Sequence, residues 1–358
     1  MARPHAAAIV EDAWHRRVDS VLRSRGWQTR IVAHTGYGSE EFARVLGRVL
    51  LTRRPEPGER ADAGASTAEL RSAEDERRGW RAFLTAPTMN VPVTITVGDK
   101  TVHTRTDRSG YIDTKVKGHK LGPGWHEARI TSVDSEDVVA AVMMVGADQT
   151  FGLISDIDDT VISTSLPRPM IAAWNTFVKS ENARHVVPGM ATMYRELLEQ
   201  HPNAPMVYVS TGAWNTAPTL TRFLRRHGYP PGPLLLTDWG PTNTGWFRSG
   251  QEHKQACLHR LANEFPNIRW VLVGDDGQHD PKIYGDFSQQ RPDTVAAIAI
   301  RELTPSEQVL SHGIPVSLEE FAPARGRHEK DVPICRAGDG YGLVRLLRVA
   351  LGEEQPAS

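Results

Sequence analysis

The sequence predicts a chain in two parts: a mostly β N-terminal domain, then an α/β domain built on a parallel, doubly wound sheet. Three observations carry that expectation. Between Val91 and Val145 apolar residues recur with a period of two, in short runs separated by turns such as Gly98-Asp99, Arg108-Ser109-Gly110 and Gly122-Pro123-Gly124. After Thr150 apolar strands alternate with helical stretches, the pattern of parallel sheets with crossover helices. Several of those later strands end in small clusters of carboxylates and hydroxyls, at the edge where open α/β sheets keep their ligand crevice.

At 358 residues the chain is too long for one small core and long enough for two domains. Its 42 basic and 43 acidic residues nearly cancel, so no global field points to nucleic acid, and any phosphate recognition has to be local. Cys257 and Cys335 lie far apart and form no CxxC, which argues against a disulfide scaffold or a zinc site and for a reducing interior. Met1 to Arg17 lacks the apolar core of a signal peptide, and no apolar run approaches a membrane span. The expectation is a cytoplasmic protein, able to touch a membrane surface peripherally, with no transmembrane segment and no nucleic acid partner. Composition leaves the oligomeric state open.

Taken in order, residues 6 to 25 place Ile9, Val10, Trp14, Val18, Val21 and Leu22 at helical spacing. Trp27 to His34 and Ala43 to Leu51 read as strands, although Glu40 to Leu50 also fits a helix. Thr52 to Thr67 reads as a loop and Ala68 to Leu84 as a second helix. Strands follow at 91–96, 101–106, 111–116, 126–132 and 138–145, the spacing of a small antiparallel sandwich that either binds a partner or docks and braces its neighbour, the second reading being favoured. The second part gives strands at 151–155, 206–210, 233–236, 270–274 and 295–300, with helices near 189–200, 216–227, 250–264 and 280–290. A helix is expected at Tyr341–Leu351. The implied division is residues 1–148, an N-terminal helix plus a sandwich-like domain; 149–310, the catalytic domain; and 311–358, an extension packing on it.

The chemistry gathers where strands end. Phe151-Gly152-Leu153-Ile154 runs into Asp156-Ile157-Asp158-Asp159-Thr160; Val207-Tyr208-Val209 into Ser210-Thr211-Gly212; Val271-Leu272-Val273 into Gly274-Asp275-Asp276, with Asp280 beyond. Lys254 lies in the helical stretch before the fourth strand. Parallel strand ends converge on one crevice, so a hydroxyl, an amine and several carboxylates can share a site. That set suits phosphoryl transfer. Asp156, Asp158, Asp275 and Asp280 offer the hard oxygen ligands that magnesium (Mg²⁺) prefers, and the cation screens a carboxylate nucleophile from a dianionic phosphate. In this reading Asp156 attacks phosphorus and forms an aspartyl-phosphate. Asp158 protonates the leaving alkoxide and then deprotonates the attacking water. Ser210 donates to a phosphate oxygen, and Lys254 stabilises phosphoryl charge.

In order and spacing these residues resemble the haloacid dehalogenase (HAD) superfamily: the DxDxT motif at Asp156 to Thr160, the hydroxyl motif at Ser210, the lysine at Lys254 and the last acidic motif from Asp275 to Asp280. The second aspartate, Asp158, belongs to the phosphatase and phosphotransferase branches and not to the dehalogenases. More narrowly, Ser155 to Val161, Ser210 with Trp214-Asn215, and Gly274 to Tyr284 resemble the catalytic domain of the actin-patch phosphatidate phosphatase family and its bacterial relatives, over roughly residues 149 to 305. That family usually has serine where this chain has Asp276, which leaves GDxxxxD and GDDxxxD readings open. The resemblance implies a HAD-like Rossmannoid sheet with a small cap, Mg²⁺ as cofactor, and phosphatidate as first candidate substrate, giving diacylglycerol and phosphate. A phosphatase of a soluble phosphoester and a catalytically silent scaffold with a β binding module are the rivals.

Each segment also has a plainer reading. Asp275-Asp276-Gly277 fits a surface turn, Ser210-Thr211-Gly212 a helix cap, and Lys254 a solvated lysine with Lys282 as rival. His253 and His279 read as ordinary polar residues. Met170, Ile171, Trp174, Phe177 and Val178 form one face of a short helix that packs on its own domain or meets lipid. Trp214, Trp239, Trp246 and Phe247 fall on loops after strands.

Overall fold

The computed structural model describes residues 17, 20–53, 86–133, 135–164, 184–237, 250–277, 279–312 and 332–353. They fall into two compact units divided between Met144 and Val145. The expected helix at 68–84, the stripe at 170–178, and Trp239, Trp246 and Phe247 lie outside the described residues, as do most of 6–25 and of the loop after Arg53. Residues 20–24 are helical. Among the described residues no helix is long and apolar enough to cross a membrane.

In the first unit eight strands join one sheet: β1 (Trp27–Ser39), β2 (Phe42–Arg53), β3 (Ala86–Pro87), β4 (Pro92–Val97), β5 (Lys100–Arg105), β6 (Tyr111–Lys117), β7 (Gly124–Ser132) and β8 (Val138–Val145). The ambiguity at 40–50 resolves as strand because β2 is paired on both edges, antiparallel to β1 along its length and to β6 through Phe42–Arg48. Period-two alternation turns Val45 and Val49 of β2, Val93, Ile95 and Val97 of β4, Ala128 and Ile130 of β7 and Ala140 and Val142 of β8 into one core. Each large apolar side chain so buried contributes about 1.5–3 kcal/mol. The strands from 91 to 145 thus share their sheet with β1 and β2 instead of closing on themselves.

The second unit contains six parallel strands, β9 (Phe151–Ser155), β12 (Met206–Ala213), β13 (Leu234–Thr237), β14 (Arg269–Asp275), β15 (Val295–Arg301) and β16 (Ile334–Ala337), in the order β13-β12-β9-β14-β15-β16. A short antiparallel pair, β10 (Ile162–Thr164) and β11 (Arg184–Val186), leaves directly after the DxDxT motif. The helices are α1 (Met190–Gln200), α2 (Ala217–Arg226), α3 (Gly250–Glu264), α4 (Asp280–Gln290), α5 (Pro305–His312) and α6 (Gly340–Ala350). Leu153, Tyr208, Val271 and Val273 share one core with α1, α2 and α6, while strand alternation sends Ile154, Val207 and Leu272 to the opposite face, where α3 and α4 contact β12 and β14. The strand order reverses between β9 and β14, so the crevice at their carboxyl ends is the switch point where such sheets bind ligands. Two parts of the tail escaped the sequence reading. Strand β16, the sheet's last member, is too short to show a period, and α5 spans little more than two helical turns.

Candidate functional site

The site grows from the end of β9. Asp156 N donates to Val273 O at 2.9 Å, so the residue is still held against β14 when the strand stops. The chain then reverses: the amides of Val161 and Ile162 both donate to Ile157 O, and Asp159 takes the left-handed conformation at φ 59°. This tight turn sets Asp156 and Asp158 beside the end of β14, which carries Asp275. Asp280 opens α4, where its charge meets the positive end of the helix. Gly274 has to be glycine, because a Cβ there would lie 2.5 Å from Asp280 Oδ2 and 2.8 Å from Asp280 Cβ.

Asp156, Asp275 and Asp280, all buried, bring carboxylate oxygens within 4.8 Å of one another. Lys254 comes from α3 with a side chain only 6% exposed; its Nζ lies 2.7 Å from Asp156 Oδ1 and donates to Asp280 Oδ1 at 2.5 Å. Lys282, the rival lysine, points outward and pairs with Asp286. Asp158, expected from sequence as a fourth cation ligand, is not one of the three carboxylates that meet; it accepts a hydrogen bond from Ser210 Oγ at 2.8 Å, while Ser210 Oγ also accepts from Gly212 N at 2.9 Å. Asp276 faces elsewhere: its Oδ1 accepts from Leu303 N at 2.8 Å, closing the loop after β15. Of the two acidic readings, then, the carboxylates that meet are Asp275 and Asp280. His253 lies 3.2 Å from Leu235 O, a contact away from the carboxylates.

Burial is the largest influence on Asp156 and pushes its carboxyl well above the usual carboxylate range; Lys254 opposes this, and Asp280 and Asp158 add to the rise. Asp275 is pushed up by burial first, then by Asp280, Asp156 and Asp159. For Lys254 burial works downward, but the attraction of Asp156, Asp280 and Asp275 outweighs it and keeps the ammonium charged. Three carboxylates against one ammonium leave the cluster short of positive charge. Asp156 Oδ2 and Asp280 Oδ2 are also buried without a hydrogen-bond partner. An all-oxygen donor set with surplus negative charge and two unsatisfied oxygens fits a hard divalent cation.

Sequence reasoning missed three supporting groups. Thr160 Oγ1 donates to Asp275 Oδ2 at 3.4 Å, tying the DxDxT turn to β14. Ser155 Oγ donates to Asp156 O and lies 2.6 Å from Tyr194 OH, and both side chains are fully buried. Arg301, buried at the end of β15, donates to Asp159 O at 2.7 Å. A buried arginine at the end of an apolar strand was the available signal for the last.

Residues 151–302 match the family model described as phosphatidate phosphatase APP1, catalytic domain. Phosphatidate phosphatase APP1 of Saccharomyces cerevisiae is 28% identical over 151 residues, which is 42% of this chain and 25% of that protein. An uncharacterized protein of Schizosaccharomyces pombe is 25% identical over 182 residues, 49% of this chain and 30% of its own length. The alignments thus take in less than a third of either relative. Among solved structures, a HAD-like protein from Mesorhizobium loti aligns at 11% identity and a TM-score of 0.35, over 59% of this chain and 90% of that one. The HAD domain of effector protein Lem4 from Legionella pneumophila aligns at 13% identity and 0.29, over 43% and 86%. The resemblance read from the motifs is therefore borne out over residues 151–302, which are similar to the catalytic domain of a phosphatidate phosphatase.

Proposed function

We propose that this chain is a Mg²⁺-dependent phosphatase that works through an aspartyl-phosphate on Asp156, with phosphatidate as its substrate. The observation that carries the reading is the buried cluster of Asp156, Asp275, Asp280 and Lys254, with the Asp158–Ser210 pair beside it. Asp156, Asp275 and Asp280 would hold the cation. When bound it supplies Lewis-acid stabilisation of phosphate charge and offsets the repulsion between carboxylate and dianion.

The chain's own groups do the rest. The ion pair with Lys254 holds Asp156 Oδ1 at 2.7 Å and so fixes the carboxylate that attacks phosphorus. As the new O–P bond forms, the bond from phosphorus to the substrate oxygen breaks, and Asp158 delivers a proton to the departing alkoxide. Asp158 then takes a proton from water, which attacks phosphorus and releases inorganic phosphate, restoring the Asp156 carboxylate. Ser210 turns its hydroxyl from Asp158 to a phosphate oxygen when substrate enters. Lys254 fixes Asp156 and lies close enough to counter charge on the phosphoryl group.

Phosphatidate as substrate is supported by the family match alone. The finer reading of the second unit, a HAD-like Rossmannoid sheet with a small cap, goes with the proposal, and the β10–β11 pair that departs beside the motif supports the place of the cap. Cytoplasmic location with peripheral membrane contact belongs to it as well. The test is phosphate release by purified protein with Mg²⁺, on phosphatidate in mixed micelles and on a panel of soluble phosphoesters. Preference for phosphatidate supports the proposal; activity only on soluble esters moves the substrate; inactivity on all of them leaves a scaffold.

A further inference from the structure

An ion pair between a buried arginine and a half-buried glutamate lies behind the DxDxT turn and has no part in the chemistry above. Arg301 leaves the end of β15 with its side chain 6% exposed. Its three nitrogens go to three different segments: Nη1 to Asp159 O at 2.7 Å, Nη2 to Glu307 Oε1 at 2.7 Å and Nε to Gly338 O at 3.3 Å. Glu307, on α5, accepts in turn from Ser163 Oγ in β10 at 2.9 Å and from Thr304 N and Oγ1 at 2.9 Å. The pair therefore joins the catalytic turn, the first strand of the ribbon that follows it, the loop after β15 and the tail.

The residue held is the one that needs holding. Asp159 sits at φ 59°, a left-handed conformation that strains a non-glycine residue and persists only where its surroundings over-determine it. Both of its backbone groups are engaged: its amide donates to Ile162 O at 2.8 Å and its carbonyl accepts from Arg301. Asp158 immediately precedes it, so rotation about the Asp159 backbone would move the carboxylate that Ser210 engages. A guanidinium can fill this place because its planar fork donates in several directions at once; a lysine ammonium on a flexible stem cannot reproduce that geometry.

We propose that Arg301, fixed by Glu307, is the positioning residue that locks the left-handed turn at Asp159 and so aims Asp158 at the leaving-group oxygen. The inference rests on the acid role given to Asp158 under the proposed function. It assigns Arg301 no contact with substrate.

The experiment compares wild type, Asp158→Asn, Arg301→Met, Arg301→Lys and Glu307→Gln on an alkyl phosphate and on p-nitrophenyl phosphate, each with and without added guanidinium at a non-denaturing concentration. Amide hydrogen exchange over residues 156–164 is measured in parallel. Loss of a positioning partner of this kind costs about 10–100-fold in rate. Arg301→Met is expected to lose that much kcat on the alkyl phosphate with little change in KM, to lose much less on p-nitrophenyl phosphate, and to regain activity with guanidinium. Exchange at the Asp159 amide, which donates to Ile162 O, should quicken. Arg301→Lys should stay low, and Glu307→Gln should fall between it and wild type. Equal losses on both substrates, or a folded Arg301→Met with wild-type leaving-group dependence, would overturn the proposal. Should Arg301→Met not fold, Glu307→Gln decides by the same two substrates. Wild type inactive on every phosphoester would sink the reading of the site, whereas unchanged exchange at 156–164 in Arg301→Met sinks the clasp whatever the activity.

Discussion

Replacing Asp156 by asparagine separates the chemistry of the site from its stability. The side chain keeps its shape and loses its charge. At an effective dielectric of about 20, Lys254 at 2.7 Å attracts the Asp156 carboxylate by about 6 kcal/mol. Asp275 and Asp280, with oxygens within 4.8 Å, each repel it by about 3.5 kcal/mol or more on the same scale. The two repulsions offset the one attraction, and what remains is the cost of burying a charge, which the amide avoids. Asp156→Asn should therefore stabilise the fold by about 1 kcal/mol or more, a rise of about 2–4 °C or more in melting temperature for a unit of this size. Turnover should fall by at least about 1000-fold, which corresponds to about 4 kcal/mol of transition-state stabilisation, because an amide cannot attack phosphorus. Phosphate release and a thermal melt of the same preparation read both quantities. A folded variant with near wild-type turnover would refute the covalent mechanism, and an inactive one destabilised by many degrees would refute the charge balance of the cluster.

Asp158→Asn should slow alkyl phosphates far more than p-nitrophenyl phosphate, whose leaving group needs little protonation; equal losses would take Asp158 out of the acid role. Activity should vanish with EDTA, return with Mg²⁺ and be suppressed by Ca²⁺, whose looser coordination spoils the attack geometry, and Asp275→Ala should raise the Mg²⁺ requirement or remove activity; full turnover by metal-free protein would contradict the carboxylate assignment. Gly274→Ala pushes a methyl group against Asp280 and should cost about 1–3 kcal/mol of stability together with activity, so a variant with wild-type melting and turnover would show that the cleft tolerates a side chain there. Burial first, and Arg48 second, push the His34 imidazole down to about 3, so between pH 6.5 and 3 the unfolded chain binds a proton that the folded chain does not. Stability should then fall as pH drops through that window, by up to about 1.4 kcal/mol per unit, and His34→Gln should flatten the profile relative to wild type; identical denaturation profiles would show that His34 does not titrate on unfolding.

Local pattern was enough for the central strands of the second unit and the helices α3 and α4. The spans expected for α3 and α4 coincide with those observed, and the five strands lie where apolar runs predicted them, because a buried parallel strand is nearly continuous in apolar residues and stands out without its neighbours. The site was legible for a related reason: Asp156, Ser210 and Asp275 each end such a strand, and strand ends in a parallel sheet converge. Pairing at a distance was not legible. Nothing near Phe42–Arg53 shows that its second edge is filled by Tyr111–Lys117, so helix and strand stayed open there. Asp276 looks like a site carboxylate beside Asp275 until Leu303 N is seen to claim it. Arg301 and Asp159 stand 142 positions apart, beyond any reading by spacing.

The strand that completes the parallel sheet is also the last to be made. β15 ends at Arg301, and β16, which covers its free edge, begins about 30 residues later, a delay of about 2–6 seconds at ordinary rates of synthesis. Over that interval the nascent sheet presents an open edge of buried-type residues, Val295 to Ile300, which is the kind of surface that recruits other strands. Gly338, one of the three acceptors of Arg301, arrives in the same late stretch. A ribosome-bound chain stopped before Ile334 would thus hold every carboxylate of the cluster while its sheet was still sticky and the turn that presents Asp158 was still incompletely fastened, so aggregation and inactivity in such a chain would share one cause.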